Sequence, residues 1–402
     1  MSRLVFVNRV FTPDESATAQ LLHDLATALA ALGRTVVVVT TGDTRLPRRE
    51  RVQGVEVLRI AGGARPRRGL LRRALQDAGA WAGLVRATAR EARRGDVVIA
   101  LTDPPLLGVG LTWALGRRVP LYHWCQDVYP EVAMALAGGG WRRGWFEPLR
   151  RVRDASWRRG AGCVVLGADM QRLVLSRGLP ANRVTVSPNW APHGIGPVNG
   201  LHLRRHWRIA DRFVITYSGN LGRVHALQPL LQVAERLRQD ERLVFLLIGQ
   251  GAQRAALERH AAGRGLAQVQ FHPPQPRLRL PEVLAASDLQ VITLRPGCAG
   301  TVWPSKFYGI VAAHRPILFI GPPEAELADL VVTHGLGGSF APDDLEGIGA
   351  FIRRLAADPA EGARIRERVA AFAATLPGLS GAIETWLGLV GPADARARTS
   401  PC

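Results

Sequence analysis

The feature that most restricts this 402-residue chain is a rhythm of short, almost continuously apolar runs separated by longer amphipathic segments, carried through once, interrupted, and begun again. In the first half the runs are "RLVFVN" (3–8), "TVVVVT" (35–40), "VEVLRI" (55–60), "DVVIAL" (96–101), "PLYHW" (120–124), "GCVVLG" (162–167) and "RVTVS" (183–187). Strands that are apolar at successive rather than alternate positions are covered on both faces. The pattern therefore predicts a parallel sheet between two layers of helices. After a strandless stretch rich in Pro and Gly, "NWAPHGIGPVNG" (189–200), the rhythm restarts with "FVITYSG" (213–219), "RLVFLLIG" (242–249), "QVQFH" (268–272), "DLQVITL" (288–294) and "RPILFIG" (315–321). That stretch predicts a linker, and the chain is longer than one α/β core ordinarily needs. The expected architecture is α/β, two Rossmann-like domains with parallel sheets facing a cleft: residues 1–195, completed by a C-terminal helix over 378–402, and residues 196–377.

In such sheets ligands bind at the carboxyl ends of strands. In the second half, "YSGNLGRVH" (217–225) follows a strand; Gly219 and Gly222 allow a ligand close to the backbone, and Arg223 and His225 offer cationic or donor groups. "IGQG" (248–251) follows the next strand, with Gly249 and Gly251 suited to a turn against a ligand. "TVWPSKFYGI" (301–310) follows the fourth and reads as a helix start, where free N–H groups at Ser305 and the ammonium of Lys306 would seat a phosphate. The plainer reading is a capping serine beside a solvated lysine.

Composition narrows the partners. Lys and Arg number 52 against 33 Asp and Glu, a formal net charge of +19 that favours anionic partners: nucleic acid, anionic lipid or phosphorylated ligands. Two arginine-rich segments, 62–76 and 140–160, fall in the first half; the second, "GWRRGWFEPLRRVRDASWRRG", adds Trp and Phe. Such a helix suits an anionic membrane surface, suits stacking on single-stranded nucleic acid, or packs its aromatics in the core. Cys125, Cys163, Cys298 and Cys402 show no paired spacing, His202 and His206 lack a third ligand, and no D-x-D sequence occurs, so neither a disulfide framework nor a metal is expected. No apolar run has the length of a membrane span, and "MSRLVFVN" lacks the apolar segment of a leader; a cytoplasmic protein is expected.

The order "GNLG", "IGQG", "ASDLQVITL", "PSKFYG" and "RPILFIG" resembles the donor domain of glycosyltransferase family 4, retaining enzymes of GT-B fold. In the first half, "FTPDESATAQLLHDLA" (11–26), "VQGVEVLRI" (52–60), "TDPPLLG" (102–108), "HWCQDVYPE" (123–131) and "SPNW" (187–190) resemble the members that build bacterial O-antigen and capsule. Where the family carries two glutamates eight positions apart, this chain has Thr301 and Gly309; where it carries the Arg and Lys that hold the diphosphate, this chain has Asn220 and His225, with Arg223 and Lys306 the cations at hand. The resemblance implies a retaining glycosyltransferase that moves a hexosyl or N-acetylhexosaminyl group from a nucleoside-diphosphate sugar, uridine-linked, to a lipid-linked or saccharide acceptor in surface polysaccharide biosynthesis. It needs no cofactor or metal and works on the inner face of the cell membrane. Donor binding then falls to Gly219, Asn220, Gly222, His225, Gly249, Gly251, Ser305 and Glu326, with Arg223 and Lys306 stabilising the leaving diphosphate. In the first half His123, Gln126, Asp127 and Glu131 follow a strand. Asp127 would orient a sugar hydroxyl or stabilise the anomeric cation, or else cap the next helix, while His123, Ser16 and Thr18 would meet the acceptor. Two other functions stay open: a nucleotide-sugar epimerase of the same fold, which needs carboxylates that the donor half lacks, and a basic nucleic-acid-binding module.

Overall fold

In the computed structural model of the chain, residues 2–43, 45–62, 70–137 and 141–391 are described. They form two compact units: residues Met1–Asn189 with Gly300–Trp303 and Pro377–Cys402, and residues Trp190–Ala299 with Pro304–Leu376. The first unit runs β1 (Leu4–Val7), α1 (Ala17–Ala31), β2 (Val36–Gly42), β3 (Arg49–Val52), β4 (Val55–Ala61), α2 (Leu70–Glu91), β5 (Val97–Ala100), α3 (Leu107–Leu115), β6 (Leu121–Trp124) and α4 (Glu131–Leu136). A 3₁₀ turn (Trp141–Phe146) then leads into α5 (Glu147–Arg159), β7 (Gly162–Val165), α6 (Ala168–Ser176) and β8 (Val184–Val186). The second unit runs α7 (Leu201–His206), β9 (Phe213–Ser218), α8 (Gln228–Arg236), β10 (Leu243–Ile248), α9 (Arg254–Gly263), β11 (Val269–His272), α10 (Leu280–Ala285), β12 (Leu289–Thr293), α11 (Lys306–Ala312), β13 (Ile317–Ile320), α12 (Glu326–Thr333), β14 (Gly337–Phe340), α13 (Leu345–Ala357) and α14 (Pro359–Ala373). Helix α15 (Gly378–Val390) returns to the first unit.

Among the described residues the first sheet has the order β3-β4-β2-β1-β5-β6-β7-β8 and the second the order β11-β10-β9-β12-β13-β14. Pairing is parallel except between β3 and β4. Each predicted apolar run is a strand, and burial explains why the runs are continuous: all six residues of β10, "LVFLLI", and the first six of β2 are buried. The sequence pattern missed two strands. β3, "RERV", is an exposed edge that alternates outward and inward, and β14, "GGSF", is too short and Gly-rich to stand out. In both sheets the chain reverses its winding at a central strand, β1 between β2 and β5 and β9 between β10 and β12, which makes the carboxyl ends there the natural binding positions.

The C-terminal helix is held by aromatic packing. Trp386 of α15 is 1% exposed and meets Phe6, Tyr122 and Trp124 edge-on at centroid distances of 6.1, 6.4 and 5.4 Å. The Tyr122 hydroxyl donates to the Leu389 carbonyl at 3.1 Å, and Arg34 donates to the Gly391 carbonyl at 2.8 Å. Residues 392–402 of the predicted helix 378–402 lie outside the described residues.

Candidate active site

In the second unit the loop after β9 and the loop after β10 are built against one another. The Gly219 N–H donates to the Ile248 carbonyl at 2.9 Å and the Leu221 N–H to the Gln250 carbonyl at 2.8 Å. Gly249 has φ +144°, and a Cβ there would lie 1.9 Å from the Gly219 carbonyl oxygen. At Gly251, φ +158°, it would lie 2.4 Å from Leu221. Both positions require glycine, for backbone conformation and for space. Gln253 then donates from its side chain to the carbonyls of Gly222 and His225, so the turn that carries Asn220 and Arg223 is fixed from behind. Asn220 and Arg223 themselves are exposed, and no hydrogen bond or ion pair engages the Arg223 guanidinium among the described residues.

Lys306 is the centre of this region. Its Nζ sits 3.3 Å from the centroid of the Tyr217 ring, would touch a Cβ at Gly219 at 3.3 Å, and is buried with no hydrogen-bond partner among the described residues. Burial pulls the ammonium well below the usual lysine range. The ring holds the cation from one side without neutralising it, since the Tyr217 hydroxyl donates to the Asn220 carbonyl at 2.8 Å and burial raises its own ionisation. His225 departs from its expected role. Its Nδ1 lies 2.9 Å from the Thr293 carbonyl, which can only accept, so Nδ1 carries the hydrogen and Nε2 is a lone pair. Burial, and after it Lys306, lower its pKa to about 3, so His225 is neutral and supplies no positive charge.

Ser305 also differs from expectation. It precedes α11, but its hydroxyl makes no capping bond, and α11 has only seven residues, so the expectation of a phosphate seat there falls to the Lys306 side chain rather than to a helix terminus. Thr301 is buried, and Gly309 is buried on α11 with Leu284 and Pro192 within contact of a Cβ. Glu326 opens α12 after β13 and is half-buried. One cation was not foreseen: exposed Arg295, just past β12, whose N–H donates to the Val224 carbonyl at 2.8 Å. It follows "DLQVITL" directly, so its position at a strand end was the available signal.

In the first unit the group at the end of β6 divides. His123 is 5% exposed, more deeply buried than expected; a Cβ at Gly108 would lie 2.3 Å from its Nδ1 and one at Gly160 3.1 Å from its Nε2. Burial lowers its pKa to about 4, and its Nε2 has no partner. Gln126 exchanges side-chain hydrogen bonds with Asn189 at 3.2 and 3.0 Å, and buried Glu131 accepts from Arg153 at 3.0 Å; both are structural. Asp127 alone remains partly exposed with a carboxylate that no hydrogen bond engages among the described residues. It caps nothing, because α4 begins at Glu131 after Pro130. Its backbone is fixed by an N–H bond to Thr102 Oγ1 at 3.3 Å and a bridge to Val302, with the Val128 N–H on the Thr301 carbonyl at 2.8 Å.

Burial, and after it Asp103, push the Asp127 carboxyl up to about 6. Burial likewise raises Asp103, although Arg9 pairs with it at 2.8 Å and with Asp77 at 2.7 Å. Tyr129 is pushed up to about 12 by burial and then by Asp127 and Asp103. Thr102, His123, Asp127 and Tyr129 line one narrow pocket of about 380 Å³ of empty space, most of it open to solvent or too tight for a water molecule. Arg9, Asp103 and Tyr129 were not singled out in the sequence; "TDPP" placed Asp103 after β5, but its charge partner is 94 residues away in sequence. Ser16 precedes α1 with its hydroxyl exposed and not used as a cap, and Thr18 is half-buried in the first turn.

The two basic segments are partly described. Residues 63–69 and 138–140, and the side chains of Arg142 and Arg143, lie outside the described residues. In the remainder, Trp157 is buried under Arg153, whose guanidinium lies 3.7 Å from the ring centroid, while Trp145, Leu149 and Val152 are 74%, 45% and 44% exposed. Core packing thus accounts for part of the segment only. Arg150 and Arg151 pair with Glu147.

Two family models match the chain: "Glycosyl transferase 4-like domain" over residues 17–190 and "Glycosyl transferases group 1" over residues 202–303. Among curated relatives, the putative colanic acid biosynthesis glycosyl transferase WcaI of Escherichia coli (strain K12) is 29% identical over 259 residues, 63% of this chain and 63% of that protein. The probable glycosyltransferase WbjE of Pseudomonas aeruginosa is 30% identical over 272 residues, 65% of this chain and 66% of that protein. The aligned region thus spans just under two thirds of each relative's length. Among solved structures, Anabaena HepE in complex with UDP-glucose superposes with a TM-score of 0.73 at 17% identity, covering 96% of this chain and 98% of that one. WaaG, described as a glycosyltransferase involved in lipopolysaccharide biosynthesis, gives 0.73 at 16% identity, covering 97% and 100%. With one model on each parallel-sheet unit, the chain belongs to the GT4 glycosyltransferase family and has the GT-B fold.

Proposed function

We propose that the protein is a retaining glycosyltransferase that moves a sugar from a UDP-linked donor to a lipid-linked or saccharide acceptor in surface polysaccharide biosynthesis. The observation that carries this reading is the Lys306 ammonium, buried over Tyr217 at the Gly219 turn with no partner of its own. A buried cation without a counter-charge is costly, and a diphosphate is the ligand that removes the cost. WcaI is named as a putative colanic acid biosynthesis enzyme, WaaG is described as involved in lipopolysaccharide biosynthesis, and HepE is seen in complex with UDP-glucose; these support the choice of class.

In this mechanism the second unit binds the donor. Gly249 and Gly251 let the two loops pack together, Arg223 and Arg295 meet the diphosphate from solvent beside Gly219, and Lys306 meets it from below. As the bond from the anomeric carbon to the phosphate oxygen breaks, negative charge grows on the diphosphate, and these cations stabilise it in place of a metal. The acceptor hydroxyl gives its proton to that phosphate oxygen while its own oxygen bonds to the same face of the anomeric carbon. Neutral His225 presents an acceptor lone pair, which suits a sugar or ribose hydroxyl better than a phosphate. The first unit binds the acceptor, with Asp127 accepting a hydrogen bond from the reacting hydroxyl and Ser16 and Thr18 flanking it. Trp145, Leu149 and Val152 beside exposed arginines bring that unit to an anionic membrane surface, where a lipid-linked acceptor resides.

Calorimetric titration with UDP in excess EDTA tests this reading. Saturable binding is expected, with proton uptake. Free Lys306 is depressed and the diphosphate restores its pKa, so the complex holds more protons between the two values and affinity falls as pH rises through that window. Absence of binding without a divalent metal, or binding with no proton uptake at any pH, would refute the metal-free lysine seat.

A further inference from the structure

The second unit carries a second group of cations that the donor reading leaves unused. At the amino ends of its strands, the end opposite to Gly219 and Arg295, the residues Phe213, Asp288 and Pro316 precede or open β9, β12 and β13. There, with α13 and α14, they enclose a cavity of about 770 Å³ of empty space, part of it open to solvent. Arg204, Arg212 and Arg366 line it, and Asp288 is the one carboxylate lining it among the described residues. Asp288 is already engaged: it pairs with Arg204 and accepts the Val214 N–H at 2.8 Å. Arg212 and Arg366 make no ion pair among the described residues.

A fourth arginine adds to the excess. Arg315 donates to the Ser287 carbonyl at 3.3 Å, and the Nε atoms of both Arg315 and Arg204 are buried without a hydrogen-bond partner among the described residues. Burial, and after it Arg366, draw the Arg315 guanidinium below the usual arginine range; Asp288 opposes this and Arg204 reinforces it. Four cations around one carboxylate repel each other, and unpaired donors in a half-enclosed space are satisfied by an oxyanion. The rest of the lining, Phe213, Pro316, Leu355 and Pro359, is apolar, so the cavity also offers a floor for carbon.

We infer that this cavity binds a small phosphorylated anion, its phosphoryl group on Arg204, Arg212 and Arg366 and its carbon skeleton on the apolar floor. The site is separate from the donor seat and does not depend on that reading.

The experiment is a calorimetric titration of the full chain carrying Lys306→Ala and Arg223→Ala, which silences the donor seat, with inorganic phosphate in one arm, glucose 1-phosphate in a second and glucose in a third. Saturable binding of either anion and none of glucose is expected. Tighter binding of the sugar phosphate assigns a share to the apolar floor; equal binding assigns the site to the phosphoryl group alone. Arg366→Glu in the same background weakens the affinity by about tenfold or more, as does Arg212→Glu, the scale of one charged hydrogen bond. Arg212 is exposed, so its variant reads the site even where Arg366→Glu disturbs packing. No saturable binding of either anion, or binding indifferent to both reversals, overturns the inference.

Discussion

The two candidate sites occupy equivalent places, the carboxyl ends of strands at the winding reversal of a parallel sheet, yet they are electrostatic opposites. In the second unit the end of β9 gathers cations without counter-charges among the described residues, Lys306 buried and Arg223 and Arg295 exposed. In the first unit the ends of β1, β5 and β6 gather carboxylates, with Arg9 tied to Asp77 and Asp103 and Asp127 left unpaired. One fold type therefore presents two kinds of surface by loop chemistry alone, and on the proposed function the cations would meet a diphosphate and the carboxylate a hydroxyl.

The comparison breaks most sharply at Lys306. Lys306→Ala is expected to lower turnover by about two to three orders of magnitude, the scale for losing one donor to developing charge, in a steady-state assay with a UDP-sugar. Near-normal turnover would remove the distinction between the two sites.

Asp127→Asn sharpens it from the other side. Loss of a charged acceptor to the sugar hydroxyl should cost about tenfold to a hundredfold in kcat/KM, and the wild-type rate should fall as pH drops through about 6. Stability should move the opposite way. A carboxyl whose folded pKa lies above its unfolded one favours the fold fully only below the unfolded value, and that contribution is lost as pH rises through about 6. The amide should therefore raise Tm by about 2–4 °C at pH 8 and leave it unchanged at pH 4. A drop in Tm at pH 8 would mean that Asp127 is structural.

The smallest effect concerns the surface of the first unit. Trp145→Ser is expected to reduce sedimentation with anionic vesicles by about tenfold, the scale of losing one inserted aromatic, while neutral vesicles bind neither protein. Equal binding to neutral vesicles would leave the exposed stripe without a membrane role.

Much of the fold was legible because buried parallel strands cannot afford polar residues; "LVFLLI" and "VVVV" announce themselves. The edge strand β3 did not, since an exposed edge has only one side to satisfy. The glycines after β9 and β10 stood out too, but their reason did not: at Gly249 and Gly251 it is the backbone of the neighbouring loop that a Cβ would strike. Pairing was not legible. His123, Gln126, Asp127 and Glu131 look alike in "HWCQDVYPE", yet one is buried against two glycines, two are spent on Asn189 and Arg153, and one is free.

The sequence by itself determined two α/β units, the strand ends that offer candidate sites, and the types of residue placed there, because these follow from periodicity and local backbone constraint. Tertiary structure decided which of those residues can act. The titration of Lys306, of His225 and of Asp127 is shifted first by burial, and for His225 and Asp127 then by neighbours distant in sequence, Lys306 and Asp103. A titratable group is defined by the dielectric and the partners around it, and neither is written at its own position in the chain.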